Sequence, residues 1–268
     1  MKRLVKLAAC LTLTLALGAG ASAADLKVNG VTIQTDVPPK TINNTTYVSL
    51  RSVTEALRSD ASVSWDGRAV AKANGLTVTA GCGDRYIVAN GRALYVKDGV
   101  QAEAGRVLVP VRVLAKALDA TVDWDAGTGD VNIWQGSGSI ASADAYYNQD
   151  DLYWLSRIIS AESQGEPLSG KIAVGNVIMN RVESGEFPNS IYGVIFDDRW
   201  GGQFTPVKNG TIYHEPTAES MLAAKLCLEG ANTAGRSIYF LAPAIAGNLW
   251  VMENRPYVTT IGNHWFYA

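Results

Sequence analysis

A carboxylate stands where the chain has been placing leucine and isoleucine. Glu162 follows Leu155 by seven residues, Ile158 by four and Ile159 by three. At 100° per residue all four share one face of a helix. Burying an ionised carboxylate among apolar side chains costs several kcal/mol, so such a group keeps its proton to a higher pH than usual. An acid still protonated near neutrality can donate to a leaving oxygen, that of a glycosidic bond included. Spacing alone leaves a second reading open, a glutamate at a helix end that reaches solvent or pairs with Arg181.

In the two-carboxylate scheme of glycoside hydrolysis such an acid needs a partner. Glu166, Asp197, Asp198 and Glu215 are the candidates. Glu166 precedes Pro167 at the start of the next helix, where negative charge complements the helix N-terminus, so its expected role is structural. Asp197 and Asp198 lie on a loop beside Arg199. Gln203, Thr205 and Tyr239 offer amide and hydroxyl groups able to bond N-acetyl sugars, while Phe204 and Trp200 offer flat stacking faces. Core or loop packing explains each of these equally well. His264 can either hold the C-terminus down or meet a substrate.

Helices must position these groups. Asp150 or Asp151 can cap one whose apolar stripe is Leu152, Leu155, Ile158 and Ile159. Pro167 can open a second, through Ala173, Val174, Val177, Ile178 and Val182, ending near Gly185. Thr217 can cap a third that runs through Met221, Leu222 and Leu226 and stops at Gly230. Between them lie aromatic, glycine-rich loops, and all five phenylalanines fall in this half of the chain.

The chain opens Met-Lys-Arg-Leu-Val-Lys, runs apolar from Leu7 to about Ala19 and reaches the small residues Ala21-Ser22-Ala23. This is the pattern of a secretory leader over 1–23, too short for a membrane span. Cys10 lies at the start of the apolar run, the wrong end for lipid attachment, and leaves with the leader. Cys82 and Cys227 then remain, far apart, with no disulfide framework and no cysteine site for zinc. Removing Lys2, Arg3 and Lys6 takes the formal charge from −2 to −5. Residues 25–135 carry twelve basic and twelve acidic side chains, and 150–268 carry eight and twelve. That balance excludes a nucleic-acid footprint, and any polymer would be held by stacking and hydrogen bonds.

Residues 25–135 contain an internal repeat. Tyr47-Val-Ser-Leu-Arg51, Ala56-Leu57 and Val63-Ser-Trp65-Asp66 recur as Leu108-Val-Pro-Val-Arg112, Ala117-Leu118 and Val122-Asp-Trp124-Asp125. Asn29-Gly30 and Asn90-Gly91 precede them as hairpin turn signals. Each copy reads strand, turn, strand, short helix, then strands, with 70–78 and 131–134 closing. The double repeat resembles the copper amine oxidase N-terminal-like domain, which implies an accessory, wall-binding module over 26–135. Copper is not implied, because the region has no histidine. Arg51 and Arg112 either contact a ligand or pair structurally at a repeated strand end. Gly136 to about Ala145 is a small-residue linker, and with it 136–147 separates the two domains.

Residues 148–268 are a different object. Glu162-x-x-Gly165-Glu166-Pro167, Gly170, Ala173-Val174, Asn180-Arg181, Gln203-Phe204-Thr205-Pro206-Val207 with Gly210, Ile238-Tyr239-Phe240, Trp250 and Ile261-Gly262-Asn263-His264 with Phe266-Tyr267 follow one another. In content and order they resemble the catalytic domain of SleB/CwlJ-type spore cortex-lytic cell-wall hydrolases. Ser163-Gln164 and Trp265 depart from that pattern. The resemblance implies a mainly α, lysozyme-like domain, hence an α+β chain of a small duplicated αβ domain and a helical catalytic one. It implies Glu162 as the catalytic residue; Gln203, Phe204, Thr205 and Tyr239 are expected at the substrate from their chemistry, and Glu166 and His264 as structural neighbours. It implies cleavage of peptidoglycan glycan strands between N-acetylmuramic acid and N-acetylglucosamine by lytic transglycosylation, in spore cortex degradation during germination. The expected setting is outside the membrane, in wall, cortex or coat, with an accessory wall or spore protein as a further partner. No cofactor is implied. A hydrolytic muramidase, an N-acetylmuramoyl-L-alanine amidase and a non-catalytic wall-binding protein are the alternatives. The amidase is the weakest of these, since zinc amidases need at least two histidines and a third ligand and only His214 and His264 are present.

Overall fold

A computed structural model describes residues 25–199, 201–247 and 249–268; the expected leader, with Cys10, and the stacking role considered for Trp200 lie outside the described residues. The N-terminal half is rich in sheet. One sheet orders its strands Thr121–Trp124, Val131–Trp134, Leu26–Val28 and Val31–Thr32, with Leu26–Val28 parallel to Val131–Trp134. A second orders Gln101–Glu103, Arg106–Pro110, Thr45–Ser49 and Lys40–Ile42. A third is a five-stranded meander, Ser62–Trp65, Ala69–Ala73, Leu76–Ala80, Tyr86–Ala89 and Arg92–Tyr95.

Both anticipated hairpin turns form, with Asn29 and Gly30 at φ 50° and 80° and Asn90 and Gly91 at 48° and 80°, the backbone signature of a type I′ turn. The closing strand read over 70–78 is instead a hairpin. Asn74-Gly75 turns it, with Gly75 at φ 72°, and two strands pair where one was expected. Two helices follow strand ends of like sequence. Helix α1 (Leu50–Leu57) is capped by the Ser49 hydroxyl, which accepts from the Ser52 N–H, and α2 is Val111–Ala117. The strands that feed them pair antiparallel, Val48 opposite Val109. Their apolar residues share one core with the sheets.

The small-residue segment after 135 does not hang free. Arg58 donates to the Gly138 carbonyl, Asn90 donates to the Ile140 carbonyl, and Ile140 is buried. A one-turn helix α3 (Ala143–Tyr146) leads into the second half.

Three longer helices form the core there: α4 (Gln149–Ser163), α5 (Leu168–Glu183) and α8 (Ala218–Leu228), with short helices α6 (Ile191–Ile195) and α7 (Thr205–Asn209) between the last two. The cap of α4 is Asn148, whose side chain accepts from the N–H groups of Asp150 and Asp151. The aspartates expected as caps sit two and three residues inside, in the first turn, where they complement the helix dipole. Pro167 and Thr217 stand at the N-caps of α5 and α8 as expected. Helix α5 is buried on nearly every side. Gly175 is its point of closest approach: a Cβ there would lie 2.6 Å from Cys227 Sγ on α8 and 2.9 Å from Ile159 Cδ1 on α4.

The aromatic, glycine-rich tail holds regular structure that helical spacing could not reveal. After α9 (Trp250–Asn254), strands Tyr257–Ile261 and His264–Tyr267 form a hairpin, and Tyr239–Leu241 pairs against the latter. No helix among the described residues is long and apolar enough to cross a membrane.

Candidate active site

Helix α4 delivers Glu162 in its last turn. Leu155, Ile158 and Ile159 on the same face are fully buried. Glu162, one residue from the helix end, is half-buried at the floor of a cleft of about 820 Å³. Burial pushes its carboxyl up from the ordinary 4.5 to about 7, and the nearby Arg181 charge pulls only weakly the other way. The group is a neutral acid at the acidic side of physiological pH.

Arg181 comes from the corresponding place on α5. It follows Val174 by seven residues, Val177 by four and Ile178 by three, the same spacing that aims Glu162. Its guanidinium is buried, and that desolvation lowers it from 12.5 to about 10. The Nε group donates to the Ile238 carbonyl at 2.7 Å and Nη1 to Gln203 Oε1 at 3.3 Å. The rings of Phe187, Phe204 and Tyr239 surround it at 4.6, 5.3 and 5.5 Å. Arg181 thus faces Glu162 across the cleft as a held cation and not as a contact ion-pair partner. Sequence reading weighed it only as a possible partner for Glu162. The apolar stripe leading to it was the signal for more.

The other expected residues divide. Gln203, Phe204, Thr205 and His264 line the cleft. Phe204 is buried and packs into the helical core, so it presents little face for stacking, whereas Thr205 is exposed. Tyr239 does not line the cleft. Its hydroxyl accepts from Arg255 Nη2 at 2.9 Å, and its ring backs Arg181. The wall at that strand is Phe240 and Leu241. His264 is buried, edge-on to Phe240, with Nδ1 unpartnered, and burial lowers its pKa.

Glu166 turns away from the cleft floor. Its two oxygens accept from the Asn263 backbone N–H at 3.0 Å and side-chain amide at 2.9 Å. Burial alone would raise its carboxyl, but those two donors hold it below the ordinary value. Its backbone carbonyl accepts from Lys171. This ties the start of α5 to the turn of the C-terminal hairpin, where Gly262 has φ 58° and any Cβ would collide with the Glu166 carboxylate.

None of the remaining carboxylates opposes Glu162 as a free base. Asp197 is buried and held by Arg199 through both oxygens at 2.8 Å, which lowers its pKa. Asp198 is exposed on the surface. Glu215 reaches the rim of the cleft and pairs there with the buried Arg157 at 2.5 Å. Chemically the arrangement offers one titrating acid, a fixed cation facing it, and amide and hydroxyl groups around one cleft.

Residues 165–267 match the family model described as Cell Wall Hydrolase, and residues 27–133 match that of the Copper amine oxidase N-terminal domain. The first match opens just after Glu162 and takes in Arg181, Gln203 and His264. A spore cortex-lytic enzyme of Bacillus cereus is 38% identical over 120 residues, covering 45% of this chain and 45% of its own length. Another, of Oceanobacillus iheyensis, is 34% identical over 140 residues, covering 52% and 46%. The chain therefore spans about half the length of the curated relatives it matches. The solved catalytic domain of SleB, a germination-specific lytic transglycosylase of Bacillus anthracis, is 37% identical, with 46% of this chain and 97% of that one covered at a TM-score of 0.42.

Proposed function

We propose, on the premise that this chain carries a cell wall hydrolase domain behind a copper amine oxidase N-terminal domain, that it cleaves peptidoglycan glycan strands between N-acetylmuramic acid and N-acetylglucosamine as a lytic transglycosylase. The observation that carries this reading is Glu162, a single acid poised near neutrality at the floor of an open groove. Protonated Glu162 donates to the glycosidic oxygen, and the bond to the muramic acid C1 breaks as that oxygen leaves as a hydroxyl. The Glu162 carboxylate then takes the proton from the muramic acid C6 hydroxyl, whose oxygen closes on C1 to give the 1,6-anhydro sugar. The acid is restored, and no water is consumed. An intramolecular nucleophile needs no second carboxylate to activate it, which accords with Asp197, Glu166 and Glu215 all being engaged elsewhere. Arg181 stabilises the transient carboxylate through space. Gln203 and Thr205 bond the sugars from the cleft wall, and Glu166 holds the C-terminal hairpin that carries His264 in place behind it.

The spore cortex is the substrate we favour, because the curated relatives carry the name of cortex-lytic enzymes. Residues 1–23 serve as the export leader, which places the enzyme in the wall or cortex. Its helical half, 148–268, is taken as lysozyme-like. The N-terminal half, 26–135, is taken as a duplicated unit, a reading supported by the antiparallel pairing of its two strand–helix segments.

Digestion of purified cortex and vegetative sacculi, with the products resolved by mass spectrometry, tests this. Anhydromuropeptides are expected. New reducing ends would turn the assignment to a hydrolase, free stem peptides to an amidase, and intact glycan would refute catalysis.

A further inference from the structure

The two halves of the N-terminal domain each build a hollow from corresponding residues, and only one of them is open. In the first, Leu50, Arg51, Val63 and Trp65 meet Gly105, Arg106 and Val107, and the space left is about 60 Å³. In the second, Val111, Arg112, Val122 and Trp124 meet Asn44, Thr45 and Thr46, and about 540 Å³ remains. Each hollow thus takes its tryptophan and arginine from one half and its rim from the hairpin of the other.

Two substitutions account for the difference. Where the filled hollow has Arg106, turned to Asp36 at 2.5 Å, the open one has the small Thr45. Arg51 is occupied, with Nη2 donating to the Val63 carbonyl at 2.8 Å and Nη1 facing Glu55 at 3.4 Å. Four residues after Arg112 the chain places Lys116 instead of an acid, and Lys116 is engaged with Glu229 at 2.8 Å. Among the described residues Arg112 has no hydrogen-bond or ion-pair partner, and no carboxylate lines the open hollow. On its far side Arg112 borders a second hollow, with Arg92, Lys116 and Asp119.

Tryptophan is equally exposed in both places, 61% for Trp65 and Trp124, so exposure of the ring does not separate them. An unneutralised guanidinium, room beside the ring, and the hydroxyls and amide of Thr41, Asn44, Thr45 and Thr46 do. A flat aromatic face binds the apolar face of a sugar, guanidinium binds a carboxylate in a fork, and short polar side chains bond sugar hydroxyls and N-acetyl groups. We propose that the hollow of Trp124, Arg112 and the 41–46 hairpin is a binding site for a carboxylate-bearing glycan. The ligand is the same peptidoglycan polymer that the cleft cleaves, held at a second point. The choice of polymer rests on the function proposed above.

Co-sedimentation of the full chain with purified, teichoic-acid-free sacculi tests the site, all variants carrying Glu162→Gln so that the polymer stays intact. Arg112→Ala and Trp124→Ala are each expected to weaken binding about fivefold or more, the scale of one lost charged or stacking contact, while Arg51→Ala and Trp65→Ala leave it unchanged. Equal sedimentation of Arg112→Ala, Trp124→Ala and the parent overturns the proposal, as does an equal loss in the Arg51→Ala and Trp65→Ala controls. Sacculi stripped of stem peptides separate the two sources of carboxylate. A fall in parent binding to the level of Arg112→Ala assigns the contact to the stems, and no fall assigns it to the lactyl group on the glycan. Cleavage of short soluble glycan fragments by Arg112→Ala in an otherwise intact chain is read separately. Its persistence is expected, and failure of the parent to cleave them at all counts against the proposed function and not against this site.

Discussion

Glu162 titrates near neutrality because α4 delivers it in line with the buried Leu155, Ile158 and Ile159, where burial raises its carboxyl and the Arg181 charge alone opposes that rise. Turnover should therefore fall as pH rises through about 7, where the proton needed for the leaving oxygen is lost. An activity profile flat from pH 6 to 9 would contradict that assignment. Glu162→Gln keeps shape but has no proton to give, and is expected to lower turnover by at least about a thousandfold. The same burial has a stability counterpart. A carboxyl whose folded pKa exceeds its unfolded one favours the folded state fully below the unfolded value and loses that advantage as pH rises through the folded one. Glu162→Gln should accordingly be the more stable protein above about pH 7, by up to about 3 kcal/mol, and near-neutral in effect at pH 4. Thermal melts at the two pH values read this directly. The side chain of Tyr239 illustrates the limit at this scale. Its type suited a sugar contact, but its strand aims it at Arg181 and Arg255.

At the scale of elements, α4, α5 and α8 must approach closely for Glu162 and Arg181 to share one cleft. Gly175 permits it. Gly175→Ala adds a methyl where Cys227 and Ile159 already stand, and overpacking of this kind costs about 1–3 kcal/mol. Chemical denaturation should show that loss, and adding Cys227→Ala should recover part of it by making room. If the double variant were no better than the single, the contact with Cys227 would not be the cause. Periodicity revealed these helices because each buries a continuous stripe. The three-stranded sheet after residue 238 stayed hidden because its strands are short and follow loops, and its edges are satisfied by pairing partners distant in sequence. The hairpin at Asn74-Gly75 was legible in its dipeptide, and only the longer apolar run over it concealed the turn.

Across the whole molecule one buried carboxylate stands at the junction of the halves, beside Lys225 donating to the Gly91 carbonyl and Ala93 packed into the helical core. Glu229, at the end of α8, accepts from Arg92 at 2.6 and 2.9 Å, from Lys116 at 2.8 Å and from the Tyr147 hydroxyl at 3.1 Å. Burial opposes its charge, but the Arg92 and Lys116 donors prevail and hold its pKa low. Its contribution is therefore present above the ordinary glutamate range and lost as pH falls through the lowered value. Glu229→Ala strands the buried Arg92, and breaking one side of such a pair costs about 3–5 kcal/mol. Calorimetry should then resolve two transitions in place of one, and proteolysis within 136–147 should accelerate. A single unshifted transition would show that the halves are held by other contacts.

The sequence by itself determined the turns, the three long helices, the two-part organisation and the placement of Glu162 on a buried face, because each depends on residues within a few positions of one another. It also held, unread, the matching stripe that aims Arg181. Tertiary structure alone decided that these two groups share one cleft, that Glu166 is spent on Asn263, that Glu229 bridges the halves, and that one of two corresponding hollows is open. Those outcomes depend on which distant segments come together. A pattern of neighbours along the chain carries no information about how much space or which partner a folded surface will leave.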